Sequence, residues 1–321
     1  MRIGLTAYGT VFSMGLAPQA KRPEIKPLQL LERARNCGLV GAELPAVLIA
    51  GEDINAVRRY AQEHQLFLNL ATGGYTPEKL AQVLELGAQL GVETVRTVVG
   101  GAKIGGDRRL IADHWQAFLE EVLEGLHAAT QIAEQVGVNL AVENHQDLAS
   151  EELLWLCKTI DSPRFGITLD TGNPLATAEE PMDFFKRTGP YLKNVHLKDY
   201  WIFLTDEGYR LARCPIGQGV IEFAQLFSLL EHYCPDITMS LEMGALEARH
   251  IRVLADDYWS AYPPRSAAQL AHVLRFVFAR ARPTNDWQTP FERNEPVEAI
   301  VAYEEQQLEE SLAYLNQFIQ A

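Results

Sequence analysis

The chain has 321 residues, 47% of them hydrophobic and 22% charged, which is ample for a sizeable core and fits either one large α/β unit or two domains. Its 28 basic residues against 42 acidic ones leave a formal charge of −14, the opposite of the basic face that a nucleic-acid binder presents. Cys37, Cys157, Cys214 and Cys234 are scattered without a CxxC spacing, and no apolar run reaches the roughly 18 residues of a membrane span. A cytoplasmic protein with free thiols, no membrane contact and no nucleic-acid partner is therefore expected.

Short β-type runs alternate with amphipathic helical runs almost to the end. The opening MRIGLTAYGT is interrupted by Thr6, Tyr8 and Gly9, so it reads as a first strand rather than a signal peptide. Strands are predicted at Arg2–Thr6, Gly41–Leu44, Leu66–Leu70, Thr94–Val99, Asn139–Glu143, Gly166–Asp170, Asn194–Leu197 and Thr238–Glu242. Helices are predicted between them at Pro27–Asn36, Ile54–His64, Pro77–Leu90, His114–Val136, Glu151–Ile160, Met182–Arg187, Glu222–Tyr233 and Ala267–Arg280, with Gly38, Gly91 and Gly137 as stops. Eight strand–helix repeats predict a (β/α)8 TIM barrel over residues 1–282. A doubly wound sheet fits less well, since AYGTVFSMG does not match the GxGxxG fingerprint. Residues 283–321 hold a connector rich in Pro, Asn and charge, then a helix at Val297–Phe318. Its apolar stripe is expected to pack on its own barrel or on a partner subunit.

Four predicted strands each end in one potential metal ligand: Glu143, Asp170, His196 and Glu242, spaced 27, 26 and 46 residues apart. That is roughly one per β/α repeat, and the C-terminal strand ends of a barrel converge on one face. Alternation along each strand sends Ala141 and Glu143, Thr168 and Asp170, His196, and Ser240 and Glu242 inward. Three crowded, buried carboxylates repel one another and lose hydration, and a divalent cation removes both penalties. Three carboxylates and one imidazole make a hard ligand set that favours Mn2+ or Mg2+, admits Co2+, and suits Zn2+ less well. Glu143 and Glu242 are then acid/base candidates on opposite sides of a carbonyl substrate.

The motifs ENH, LDTGN, VHLKD, PIGQG and SLEM occur in that order, and together they resemble the xylose isomerase-like TIM barrels, a family of sugar phosphate isomerases and epimerases. The resemblance implies one divalent metal ion held by Glu143, Asp170, His196 and Glu242. It implies an isomerase or epimerase acting on a keto-sugar or sugar acid through a metal-stabilised enediolate, with the two glutamates moving protons on opposite faces of the substrate. Homodimers or homotetramers are common in such a family. Ketose 3-epimerase relatives carry His three residues after the aspartate and Arg six after the metal histidine. This chain has Asn173 and Ile202 there, so a lyase that decarboxylates or dehydrates a 3-oxo sugar acid is the second reading.

Further substrate contacts are expected from His145 and Gln146 after Glu143, from Lys198 as electrophile or proton donor, and from Arg210 or Arg213 as replacements for the missing arginine. Glu43 ends the second strand and is expected to bind a substrate hydroxyl or a neighbouring Arg, and Arg96 inside the fourth strand to order the inner acid cluster or touch substrate. The loop GGAKIGGDRR offers Lys103 and Arg108 to an anionic sugar, but it lacks GK[ST] and is no nucleotide loop. The segment after Glu242 carries Arg249, His250, Arg252, Tyr258 and Trp259, a candidate lid for an acidic group. A DNA-repair phosphodiesterase is disfavoured by the net charge and by His64, His127, His232 and His272 falling in helices. A sugar-binding barrel without catalysis would need no proton-transferring carboxylate.

Overall fold

Strands whose two faces must both be buried are satisfied when the sheet closes on itself and helices cover its outside. The computed structural model describes residues 1–244 and 246–319; Ala245, Gln320 and Ala321 lie outside the described residues. Strands β1 (Arg2–Thr6), β2 (Gly41–Pro45), β3 (Phe67–Ala71), β4 (Thr94–Thr97), β5 (Asn139–Glu143), β6 (Phe165–Asp170), β7 (Leu192–Leu197) and β10 (Thr238–Leu241) are parallel and close into a barrel in the order β1-β10-β7-β6-β5-β4-β3-β2. Helices α1 (Pro27–Asn36), α2 (Ala46–Ile49), α3 (Ile54–Glu63), α4 (Pro77–Leu90), α5 (Trp115–Val136), α6 (Ser150–Ile160), α7 (Pro181–Thr188), α8 (Phe223–Tyr233) and α9 (Ala267–Arg280) follow in turn. The chain is a TIM barrel, and its predicted strands and helices stand within a few residues of those observed. Among the described residues no helix is long and apolar enough to cross a membrane, and all four cysteines are free.

Outward residues such as Leu5, Leu140, Leu169 and Leu241 are fully buried beneath the helices. Each contributes about 1.5–3 kcal/mol by leaving water. The interior is filled in layers. At the N-terminal end the Phe67 ring lies against Gly4 and Gly41, where an added Cβ would collide with it. Above it, Asn69 donates to Thr238 Oγ1 at 2.8 Å and to Asn194 Oδ1 at 3.4 Å. The next layer is charged and faces the C-terminal mouth.

Two features lie outside the expected repeat. Between β7 and α8 the chain makes an antiparallel hairpin, β8 (Asp199–Thr205) and β9 (Gly208–Cys214), extended by β11 (Arg249–Ile251). The run YWIFLT–DEG–YRLARC carries a hairpin signature, two β-prone stretches about a Gly turn. Asp199 anchors its base by accepting from the backbone N–H groups of Gly217, Gly219, Val220 and Ile221 at 2.9–3.1 Å. Helix α10 (Val297–Ile319) lies on the same barrel: Glu304 accepts from the N–H groups of Phe12 and Ser13 at 2.9 Å, and Ser311 Oγ accepts from Ile216 N–H at 2.9 Å.

Candidate metal centre

Period-two alternation along β5, β6, β7 and β10 delivers Glu143, Asp170, His196 and Glu242 to one place at the barrel mouth. One ligand atom from each lies within 4.8 Å of all the others. Asp170 and His196 are fully buried, Glu143 is 1% exposed and Glu242 7%. His196 turns Nδ1 toward the carboxylates, 2.7 Å from Glu242 Oε2 and 3.6 Å from Glu143 Oε2. Its other nitrogen, Nε2, is 2.9 Å from Glu43 Oε2, an arrangement that keeps a proton on Nε2 and makes Nδ1 the nitrogen that can offer a lone pair to a cation.

The support beneath this cage is continuous. Glu43 also accepts from Asn194 Nδ2 at 3.0 Å and Arg96 Nη2 at 3.2 Å. Arg96 bridges Glu43 to Glu143, with Nε 3.2 Å from Glu143 Oε2, so Arg96 orders the acid cluster. Asn144 grips the backbone of Asp170 from both sides, donating to its carbonyl at 3.0 Å and accepting from its N–H at 2.7 Å. Lys198 Nζ is paired with Asp170 and sits 2.7 Å from Glu242 Oε1.

Charge and satisfaction both ask for a cation. Four buried carboxylates (Glu43, Glu143, Asp170, Glu242) face two permanent cations, Arg96 and Lys198, so two negative charges remain when His196 is neutral. Both oxygens of Glu143 and Nδ1 of His196 are buried without a partner in hydrogen-bond geometry, although their ion-pair distances are short. Buried groups in that state are costly unless something coordinates them. Burial pushes Glu143 and Asp170 above the usual carboxylate range. Burial also opposes ionisation of Glu43 and Glu242, but His196 and Arg96 hold Glu43 at about 2, and Lys198 with His196 hold Glu242 well below normal. His196 is desolvated, yet Glu43, Glu143 and Glu242 drive it well above the usual imidazole value. Without a cation, Glu143, Asp170 and His196 hold protons more strongly than they would in water. The donor set thus fits a hard divalent ion.

The cage opens into a cavity of about 420 Å3 whose lining includes Glu143, Glu242, Arg96, His145, Arg213 and Arg249. A larger groove of about 740 Å3 beside α1 and α10 contains none of the cage residues. Of the expected substrate contacts, His145 stands exposed at the cavity, and Lys198 is buried between Asp170 and Glu242. Asn173 is buried and accepts from Gln146 Nε2 at 3.0 Å and Tyr200 Oη at 3.4 Å. Gln146 holds this link from a left-handed backbone (φ +70°), a strain of about 1–3 kcal/mol next to the site.

Other candidates lie elsewhere. Arg252 is absent from the cavity lining and is paired instead with Glu207 at 2.9 Å and Asp257 at 3.2 Å, both half-exposed carboxylates. Ile202 is buried in the hairpin strand β8. Arg108 is buried, paired with Glu152 at 2.6 Å and stacked at 3.8 Å on the rings of both Trp115 and Tyr262, so it locks the loop after β4 rather than receiving a ligand. Arg210 stacks on Trp287. Tyr8 and Lys79 line the cavity without having been singled out. Tyr8 follows the end of β1, the position where barrel loops carry function.

Comparison with known proteins adds direction. The 3-oxo-isoapionate decarboxylase of Pectobacterium atrosepticum is 25% identical over 236 residues, 69% of this chain and 81% of that one. The crystal structure of the 3-keto-D-glucoside 4-epimerase of E. coli superposes with a TM-score of 0.59 at 18% identity, over 85% of this chain and 98% of that one. A crystal structure of the IOLI protein with a bound zinc atom gives 0.54 at 15% identity, over 94% and 99%. These relatives name an epimerase and a decarboxylase on one scaffold. The chain, matched over residues 31–255, belongs to the xylose isomerase-like TIM barrel family.

Proposed function

We propose that the chain is an isomerase or epimerase that depends on one divalent cation and acts on a keto-sugar or sugar acid through an enediolate. The observation that carries this is the cavity itself. Glu143 and Glu242 reach it from β5 and from the end of β10, three strands apart around the barrel. Glu143, Asp170, His196 and Glu242 would hold the cation, with hard oxygen ligands favouring Mn2+ or Mg2+ and admitting Co2+. When bound, it would supply Lewis-acid polarisation of the substrate carbonyl.

The chain's own residues account for the proton. Glu143 has no hydrogen-bond donor on either oxygen, so one oxygen is free to take the proton from the carbon beside the carbonyl. Glu242, on the other side, returns a proton to that carbon or its neighbour. Lys198 Nζ, 2.7 Å from Glu242 Oε1, holds that carboxylate in place, and the proton Glu242 delivers is first taken up from solvent in the cavity. Arg96 and Glu43 hold Glu143 and His196 in place.

Decarboxylation of a 3-oxo sugar acid is the second reading. In it the carbon–carbon bond breaks, the electron pair stays on the carbon as CO2 leaves, and a glutamate protonates that carbon. Two observations favour it: Asn173 and Ile202 stand where ketose epimerases carry His and Arg, and a decarboxylase matches over 81% of its length. The test is a panel of keto-sugars and oxidised sugar acids with the Mn2+-loaded protein in 2H2O. Exchange of carbon-bound hydrogen without gas supports the first reading, and CO2 release replaces it with the second. A protein that binds sugar but shows neither is a binding module.

A further inference from the structure

The hairpin and β11 place two arginines side by side at the cavity. Arg213 comes from β9, Arg249 from β11, and the register pairs Arg249 with Leu211 across the sheet. Both are largely buried, 8% and 5% exposed. Arg213 Nη1 donates to the carbonyl of Gly244, two residues beyond Glu242, at 3.0 Å, and among the described residues no carboxylate pairs with it. Among the described residues Arg249 is paired only with Glu247, 3.0 Å away, whose own side chain is 43% exposed. The Nε groups of both arginines are buried with no acceptor among the described residues. Two desolvated guanidiniums, one of them paired with a partly solvated carboxylate and the other with none, are an arrangement that folding alone does not reward. Burial first, and then the neighbouring Arg213, hold Arg249 below the usual guanidinium range.

We infer that Arg213 and Arg249 form an anion subsite, and that the substrate is a sugar derivative carrying a carboxylate or phosphate that these two guanidiniums grip while its carbonyl end faces Glu143 and Glu242. This rests on the sugar-enzyme reading above and names its substrate class. Paired guanidiniums match the forked geometry of either group. The subsite also bears on the reaction. A carboxylate that leaves as CO2 sheds its charge, so a tight ion pair would stabilise the reactant over the transition state and slow its loss. The gripped anion is one that survives turnover.

The test is titration calorimetry on the full-length protein with and without Mn2+, using glucitol, gluconate and glucitol 6-phosphate, which share a polyol chain and differ in charge. The wild type should bind at least one of the two anions about 10- to 100-fold more tightly than glucitol, as charge-assisted hydrogen bonds of this kind provide. Whichever anion wins names the group. R213M and R249M should erase that preference and leave glucitol affinity within about twofold. Equal affinity for all three, no binding of either anion at millimolar concentration, or variants that weaken glucitol as much as the anion would each overturn the subsite. Anion preference that persists without Mn2+ alongside no hydrogen exchange on any keto-sugar would instead sink the catalytic reading and leave the subsite standing.

Discussion

Replacing Glu43 with Gln tests whether the cage works through its support. The Glu43 carboxylate is fully buried and surrounded by donors: Oε2 accepts from Asn194 Nδ2 at 3.0 Å and faces His196 Nε2 at 2.9 Å, while Oε1 accepts from Arg96 at 3.2 Å. An amide has one acceptor oxygen, and its NH2 must meet a neighbour able to accept. Arg96 cannot accept, so the oxygen turns to Arg96 and the NH2 turns to His196. His196 Nε2 then has to lose its proton, which moves to Nδ1 and points into the cage where a lone pair is needed. Loss of such a supporting partner lowers metal affinity about 10- to 100-fold, which is about 1.4–2.7 kcal/mol. The assay is free Mn2+ measured by electron paramagnetic resonance during titration of wild type and E43Q, with thermal melting in parallel. A folded E43Q whose Mn2+ Kd stays within about twofold of wild type would refute the reasoning. A fall in Tm alone, with metal affinity unchanged, would make Glu43 a packing residue.

Other outcomes follow from the same geometry. E143Q should cut hydrogen exchange by about 10²- to 10⁴-fold while sugar binding persists, measured by NMR and calorimetry; retained exchange would move the base elsewhere. Because Glu143, Asp170 and His196 are shifted upward without a cation, chiefly by burial for the two carboxylates and by Glu43, Glu143 and Glu242 for the imidazole, protons compete with the cation for them. Mn2+ affinity should therefore rise with pH, and calorimetry in buffers of different ionisation enthalpy should record proton release; no release would contradict the charge count. Saturating Mn2+ at about 100 times its Kd should add about 2.7 kcal/mol of stability, read as a rise in Tm that chelation reverses. R108A leaves Glu152 buried without its ion-pair partner and should cost about 3–5 kcal/mol, a Tm fall of about 4–7 °C; an unchanged Tm would show that the Trp115–Arg108–Tyr262 stack is not structural.

The cage was readable from sequence because strand alternation is rigid. Once Leu140 and Val142 face the helices, Glu143 can only face the axis, and the same rule fixes Asp170, His196 and Glu242. The repeat of apolar strand and amphipathic helix carried the barrel for the same reason. Loops obey no such period. Arg252 and Arg108 read as ligand-seeking cations, yet each found a carboxylate partner that only the folded chain brings near: Glu207 is 45 residues from Arg252, and Glu152 is 44 from Arg108. The β8–β9 hairpin shows the opposite case. Its turn signal was present, but counting eight repeats left no place for an insertion, and so the elements that bring Arg213 and Arg249 together went unseen.

The most direct measurement is anomalous diffraction from crystals grown with Mn2+. A single peak within coordination distance of Glu143, Asp170, His196 Nδ1 and Glu242 is the predicted result. A peak at some other place, or none at saturating Mn2+ with Lys198 still bridging Asp170 and Glu242, would contradict it.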